Sequence, residues 1–185
     1  PSTLESTPEY GEENTGVYWG PITREAYGPE WYATIFAFAE SPISSGLLWA
    51  GSDDGYIHVS TDAGRSWENV TIPDLPEFAM ISIIEASQHD PGTAYVAATR
   101  YKLSDHRPYL YRTEDFGRTW TKITNGIPTD DFTRVIREDP DRAGLLYAGT
   151  ERSVYVSFDE GDSWQSLALN LPVVPIHDLV VSHGD

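Results

Sequence analysis

Three aspartates recur in one setting. Asp62, Asp115 and Asp159 each lie in an octapeptide of pattern Ser/Thr-x-Asp-x-Gly-x-Ser/Thr-Trp, at residues 60–67, 113–120 and 157–164. Regularly placed carboxylates are what acid–base catalysis or a hard cation would use. The residues around them point elsewhere. Gly64, Gly117 and Gly161 supply the positive φ of a tight turn without a Cβ clash. The carboxylate two positions earlier can fold back onto the turn's own N–H groups, as in Asx turns. Ser66, Thr119 and Ser163 add a second short hydrogen-bonding side chain, and Trp67, Trp120 and Trp164 can cover the turn and bury apolar surface. Turn stability accounts for every residue type in the motif. Equivalent turns of successive repeats stand apart, so the three carboxylates cannot converge on one substrate.

The elements that carry these turns recur with them. Pro42, Pro91 and Pro140 are 49 residues apart each time. Before each proline lies a short apolar run: Tyr32 to Ala39, Ile81 to Ile84, and Phe132 to Arg137. The first of these has no polar face and reads as a strand buried on both sides. A second strand follows each proline, with a third running into the motif and a fourth leaving it from the tryptophan. The Asp54-Gly55 pair marks a hairpin turn. Four short strands per unit of about 40 to 50 residues predict an all-β fold built of β-propeller blades. The expected layout is a polar arm over 1–30 with an apolar foothold at Val17-Tyr18-Trp19, then blades over 31–78, 79–131 and 132–174. A further inner strand is expected at Ile176 to Val181, within 175–185. Three blades and one strand make an arc of a larger propeller, because a blade needs a neighbour on each side. A β-sandwich of a dozen short strands is the competing architecture, and the regular spacing disfavours it.

The motif resembles the Asp-box, or bacterial neuraminidase repeat, of sialidases, xyloglucanases, sortilin-type receptor domains and photosystem-assembly propellers. Gly20-Pro21-Ile22-Thr23, Leu48-Trp49-Ala50-Gly51-Ser52-Asp53-Asp54-Gly55, Pro108-Tyr109-Leu110-Tyr111, Leu145-Leu146-Tyr147-Ala148-Gly149-Thr150-Glu151 and Asn170-Leu171-Pro172 through His177-Asp178-Leu179 are similar to the sortilin-like, glycosyl-hydrolase-like propellers of large secreted bacterial proteins. The resemblance runs from about residue 14 onward. It implies a secreted or periplasmic protein whose other blades and domains are this segment's first partners.

Strand alternation puts the motif turns on one face and the loops between second and third strands on the other. Ligands of propellers are expected on the second face. It would carry Asp53 and Asp54, then Arg100, Tyr101, Lys102, Asp105, His106 and Arg107, then Glu151 and Arg152. The middle loop, Arg100 to Pro108, is longer than its counterparts, and extra length on a rigid scaffold is where function tends to lie. A glycoside hydrolase would need two carboxylates about 5 to 9 Å apart. Asp53, Asp105 and Glu151 are the candidates drawn from a wider set with Asp54, Glu85, Glu138 and Asp178, and spacing selects no pair. Asp53-Asp54 before glycine reads as a turn more readily than as a cation site.

The formal charge of -17 excludes a polyphosphate partner, which needs a basic surface. No apolar run is long enough to span a membrane. There is no cysteine, and the five histidines lack close ligand spacing, so no zinc site and no cofactor site is read. The expected function is a module that binds peptide, protein or glycan, or a scaffold within a larger chain. The alternative is part of a glycoside hydrolase acting on polysaccharide, an assignment that rests on fold analogy.

Overall fold

The computed structural model describes residues 34–167 and 169–182. The expected arm over 1–30 lies outside them. Three four-stranded antiparallel sheets follow one another along the chain. The first holds β1 (Ile35–Glu40), β2 (Leu48–Ser52), β3 (Ile57–Ser60) and β4 (Glu68–Asn69). The second holds β5 (Met80–Ala86), β6 (Ala94–Arg100), β7 (Asp105–Thr113) and β8 (Thr121–Lys122). The third holds β9 (Thr133–Glu138), β10 (Leu146–Thr150), β11 (Val154–Ser157) and β12 (Gln165–Ser166). Strand order within each sheet is the order of sequence, so every connection is a hairpin.

The core lies between sheets. Period-two alternation divides β6 between two neighbours. Ala94, Val96 and Ala98 join a cluster with Trp49 and Val59 of the first sheet, Ile72 of the crossing that follows it, and Ile81 of their own sheet's inner strand. Tyr95 and Ala97 join Ile136, Leu146 and Tyr155 of the third. A strand so used must be apolar or small on both faces, and β6 is buried at every position but the last. At Gly51 the reason for glycine is close approach. A Cβ there would stand 2.5 Å from Ile81 Cγ2 of the next inner strand. Gly149 repeats the arrangement, with Ile176 Cγ2 at 2.6 Å.

Three expectations need correction. The first inner strand is not buried on both faces: Phe36 is 58% and Phe38 60% exposed, because Ala37 faces the second sheet while they face away from it. Ile176 to Val181 forms no strand. Its Ile176 N–H nevertheless donates to the Thr150 carbonyl at 2.9 Å. The long segment from Arg100 to Pro108 is mostly not a loop. Arg100 pairs with Asp105, so the extra residues extend β6 and β7, and only Tyr101–Leu103 forms a single 3-10 turn.

The three motif turns share one hydrogen-bond set. In the first, Asp62 Oδ1 accepts the Ser66 N–H at 2.9 Å and Oδ2 accepts the Ser66 hydroxyl at 2.6 Å. The Gly64 N–H donates to Ser60 Oγ at 2.8 Å. Asp115 with Thr119 and Asp159 with Ser163 repeat these bonds at 2.6–2.9 Å. Trp120 and Trp164 each donate Nε1–H, at 2.8 Å, to a carbonyl just past the fourth strand of the preceding sheet, Val70 and Ile123. The second and third turns are thus tied both to themselves and to the preceding sheet.

Candidate functional site

The hairpins joining second and third strands lie at one end of the sheets. In the first sheet, Asp53 and Thr34 exchange backbone and side-chain bonds: Asp53 N–H to Thr34 O at 3.1 Å, and Thr34 N–H to Asp53 Oδ1 at 3.0 Å. Asp54 accepts the Ser52 hydroxyl. Asp54 serves its own turn, whereas Asp53 ties that turn to the residue that leads into β1.

In the second sheet, Asp105 gathers the base of the hairpin. Arg107 donates Nε–H at 2.9 Å and Nη2–H at 2.7 Å, and the Tyr109 hydroxyl donates at 2.7 Å. Arg100 adds a longer contact at 3.5 Å. The Arg107 bonds hold this carboxyl well below the usual carboxylate range against the opposing effect of burial. It is a fixed anion and a poor proton donor. Burial, then the bond to Asp105, pushes the Tyr109 phenol up to about 12.

Tyr101 reaches across to the third sheet. Its ring stacks on Phe132, centroids 5.0 Å apart and planes 14° from parallel, while His106 meets the same ring at 5.7 Å. The Arg134 guanidinium stands 4.8 Å from the Phe132 centroid and 5.4 Å from that of Tyr101. Arg134 is itself aimed by Glu151, whose Oε2 accepts Nε–H at 2.8 Å and Nη2–H at 2.6 Å. Below the stack, the buried Thr133 hydroxyl accepts the Tyr109 N–H at 3.1 Å and donates to the Tyr109 carbonyl at 3.0 Å, pinning the two sheets together. Arg152 pairs with Asp130 at 2.9 Å on the exposed rim. Lys102 is exposed beside the stack.

The structure therefore brings Tyr101, His106 and Glu151 together and leaves Asp53 and Asp54 to the first sheet. Sequence reasoning missed Phe132 and Arg134 as site residues, placing both within an inner-strand run. Phe132 reads as an inner-strand apolar residue. Only the extension of β6 and β7 shows what it meets.

Three more of the candidate carboxylates lie on or beside the inner strands. Arg137 bridges Glu85 at 3.0 Å and Asp178 at 2.8 Å, and donates Nε–H to the Leu179 carbonyl at 2.9 Å. Burial raises the Glu85 carboxyl above its ordinary range, opposed by Arg137. Glu138 is buried, and its Oε2 accepts the Ser87 hydroxyl and the Gln88 N–H, both at 2.7 Å. Among the described residues no cluster of three His, Asp or Glu side chains can hold a metal ion, and no helix is long and apolar enough to cross a membrane.

No family model matches the chain. Over 121 residues it is 31% identical to the vacuolar protein sorting/targeting protein 10 of Laccaria bicolor, covering 64% of this chain and 7% of that protein. The Schizosaccharomyces pombe protein of the same name is 25% identical over 142 residues, with 64% and 9% covered. The chain thus spans less than a tenth of the curated relatives it matches. Both are fungal, so the bacterial source implied by the resemblance finds no support in them. Among solved structures, YCF48 from Cyanidioschyzon merolae superposes with TM-score 0.55 at 18% identity, covering 75% of this chain and 40% of that one. YCF48 bound to D1 peptide gives 0.57 at 20%, with 74% and 41% covered. An ancestral GH74 enzyme gives 0.58 at 20%, with 72% and 18% covered. The fold is that of a β-propeller. Each four-stranded sheet is one blade.

Proposed function

We infer that this segment is a peptide-binding blade set within a larger secreted protein, and that its repeated turns are Asp-boxes. The observation that carries the reading is the extended second-blade hairpin, which crosses to the third blade and builds a ridge of Tyr101, Phe132, His106 and Arg134. Aromatic rings with guanidinium groups make rigid, partly apolar anchors of the kind that dominate binding surfaces. Lys102 adds positive charge on a chain that is otherwise acidic, while Arg107 and Arg152 are matched by Asp105 and Asp130. The peptide-bound YCF48 lends support by fold alone, since its identity to this chain is 20%. A hydrolase reading has less behind it. Asp105 and Glu151 are both held by arginine, and Glu85, the carboxyl raised by burial, is tied to Arg137.

The test is a peptide-array screen of the full chain, repeated with Tyr101→Ala and with residues 101–104 replaced by a two-glycine turn. Peptides that bind the parent chain and are lost by both variants support the reading. Equal binding by all three proteins, or turnover of a polysaccharide by the parent, would overturn it.

A further inference from the structure

A second surface lies on the outer half of the second blade, on the side turned to the first. Tyr109 and Tyr111 of β7 belong to the core shared with the first blade, and Lys122 of β8 sits opposite Tyr111 in register. Facing them is the crossing that leaves the first blade. Between the two runs a groove of about 440 Å³ lined by Ile72, Asp74, Tyr111, Arg118, Trp120 and Lys122. That volume falls within the range of small-ligand sites.

The walls are fixed before anything binds. Trp120 is tied by Nε1–H to the Val70 carbonyl at 2.8 Å and stands edge-on to Trp49, with centroids 6.4 Å apart and planes at 72°. Tyr111 is buried, and burial with the nearby Asp74 charge pushes its phenol up to about 12, so it stays neutral. A preformed site loses little entropy on binding.

The cations are what is unspent. Arg100, Arg107, Arg112, Arg134, Arg137 and Arg152 each have a carboxylate within 4 Å. Among the described residues, Arg65, Lys102, Arg118, Lys122 and Arg142 have none, although the chain carries 29 acidic side chains, and of these five Arg118 and Lys122 line the groove. Lys122 Nζ instead lies 5.0 Å from the Tyr109 ring centroid, with Arg107 at 5.7 Å from the same ring. Positive charge left unneutralised beside an apolar floor calls for an anion from outside. The groove offers no open aromatic plate on which a sugar ring would stack, because Tyr111 is buried and Trp120 is wedged against Trp49. Asp74 on the facing wall repels acid there and steers it toward β8.

We propose that this groove binds a short acidic peptide segment, with a carboxylate side chain between Lys122 and Arg118 and a neighbouring apolar side chain against the half-buried Trp120. The site uses none of the residues of the Tyr101 ridge, so either can fail alone.

The probe is a fluorescein-labelled peptide amide of sequence Gly-Glu-Leu-Asp-Leu-Gly, compared by anisotropy with its Gln/Asn counterpart on the full chain. The acidic peptide is expected to bind more tightly, to weaken as salt is raised, and to lose about tenfold or more with Arg118→Glu plus Lys122→Glu. Both side chains are exposed, so the fold should survive; Arg118→Gln plus Lys122→Gln, expected to give a smaller loss in the same direction, covers the case where it does not. Tyr101→Ala should leave this binding unchanged. Equal affinity for the two peptides, indifference to the charge substitutions, or binding of polygalacturonate oligomers in preference to the acidic peptide would overturn the proposal.

Discussion

Asp62, Asp115 and Asp159 show how hydrogen bonds to an exposed carboxylate become a pH dependence. The Ser66 hydroxyl and N–H lower the Asp62 carboxyl from 3.8 to about 2. Thr119 and Ser163 lower Asp115 and Asp159 in the same way. A folded-state value below the unfolded one means that the turns contribute stability above about pH 4, and that this is lost as pH falls toward 2. Replacing all three by Asn should lower the melting temperature at pH 6 and flatten its fall between pH 5 and 2; a parent-like acid profile would show that the turns do not carry the dependence. The bonds of these residues were legible in the sequence, since Asp, Gly and Ser at fixed offsets are a turn's own chemistry. The Tyr101 ridge was not. Its partners Phe132 and Arg134 come from the next blade, and no local pattern says which inner-strand residue a hairpin will meet.

At the scale of elements, the sequence makes the three motif tryptophans equal and the fold does not. Trp164 is 4% exposed and packed in the core between second and third blades, whereas Trp67 is 42% exposed. Trp120 lies between them, half-buried. The grading follows from the neighbour: Trp120 and Trp164 dock on a preceding blade, and no described element precedes β1 to receive Trp67. Trp164→Ala should therefore cost about 3–5 kcal/mol, Trp120→Ala less, and Trp67→Ala about 1 kcal/mol, read from urea denaturation. A uniform loss would refute the docking argument. The contact of Gly51 with Ile81 makes a second claim. Gly51→Ala should destabilise by about 1–3 kcal/mol through overpacking, and the penalty should shrink when Ile81 is also Ala, giving a non-additive double-mutant cycle. Strand order and the hairpin turns could be read from the 49-residue period of the prolines. The two-residue fourth strands and the lengthened β6 and β7 could not, because register depends on pairing rather than on composition.

At the scale of the molecule, the blades form a row whose two apolar flanks differ. One is Ile35, Phe36 and Phe38 on β1, at 65%, 58% and 60% exposure. The other lies near the third blade, where Leu169, Val173 and Val180 are 91%, 79% and 90% exposed. Unlike surfaces that both seek burial meet head to tail, and such a contact does not close on itself after two copies. The charge of -17 opposes association by long-range repulsion, which salt screens while leaving the apolar attraction intact. The chain should accordingly self-associate with rising concentration, and more strongly at high salt than at low. Phe36→Lys with Phe38→Lys should suppress this at both, because it removes one of the two surfaces without touching the inter-blade core that Ala37 shares. Sedimentation velocity across a concentration series decides the matter: a single species at every concentration and salt would mean that the flanks do not attract. Association that persists in the double variant would place the contact somewhere other than β1.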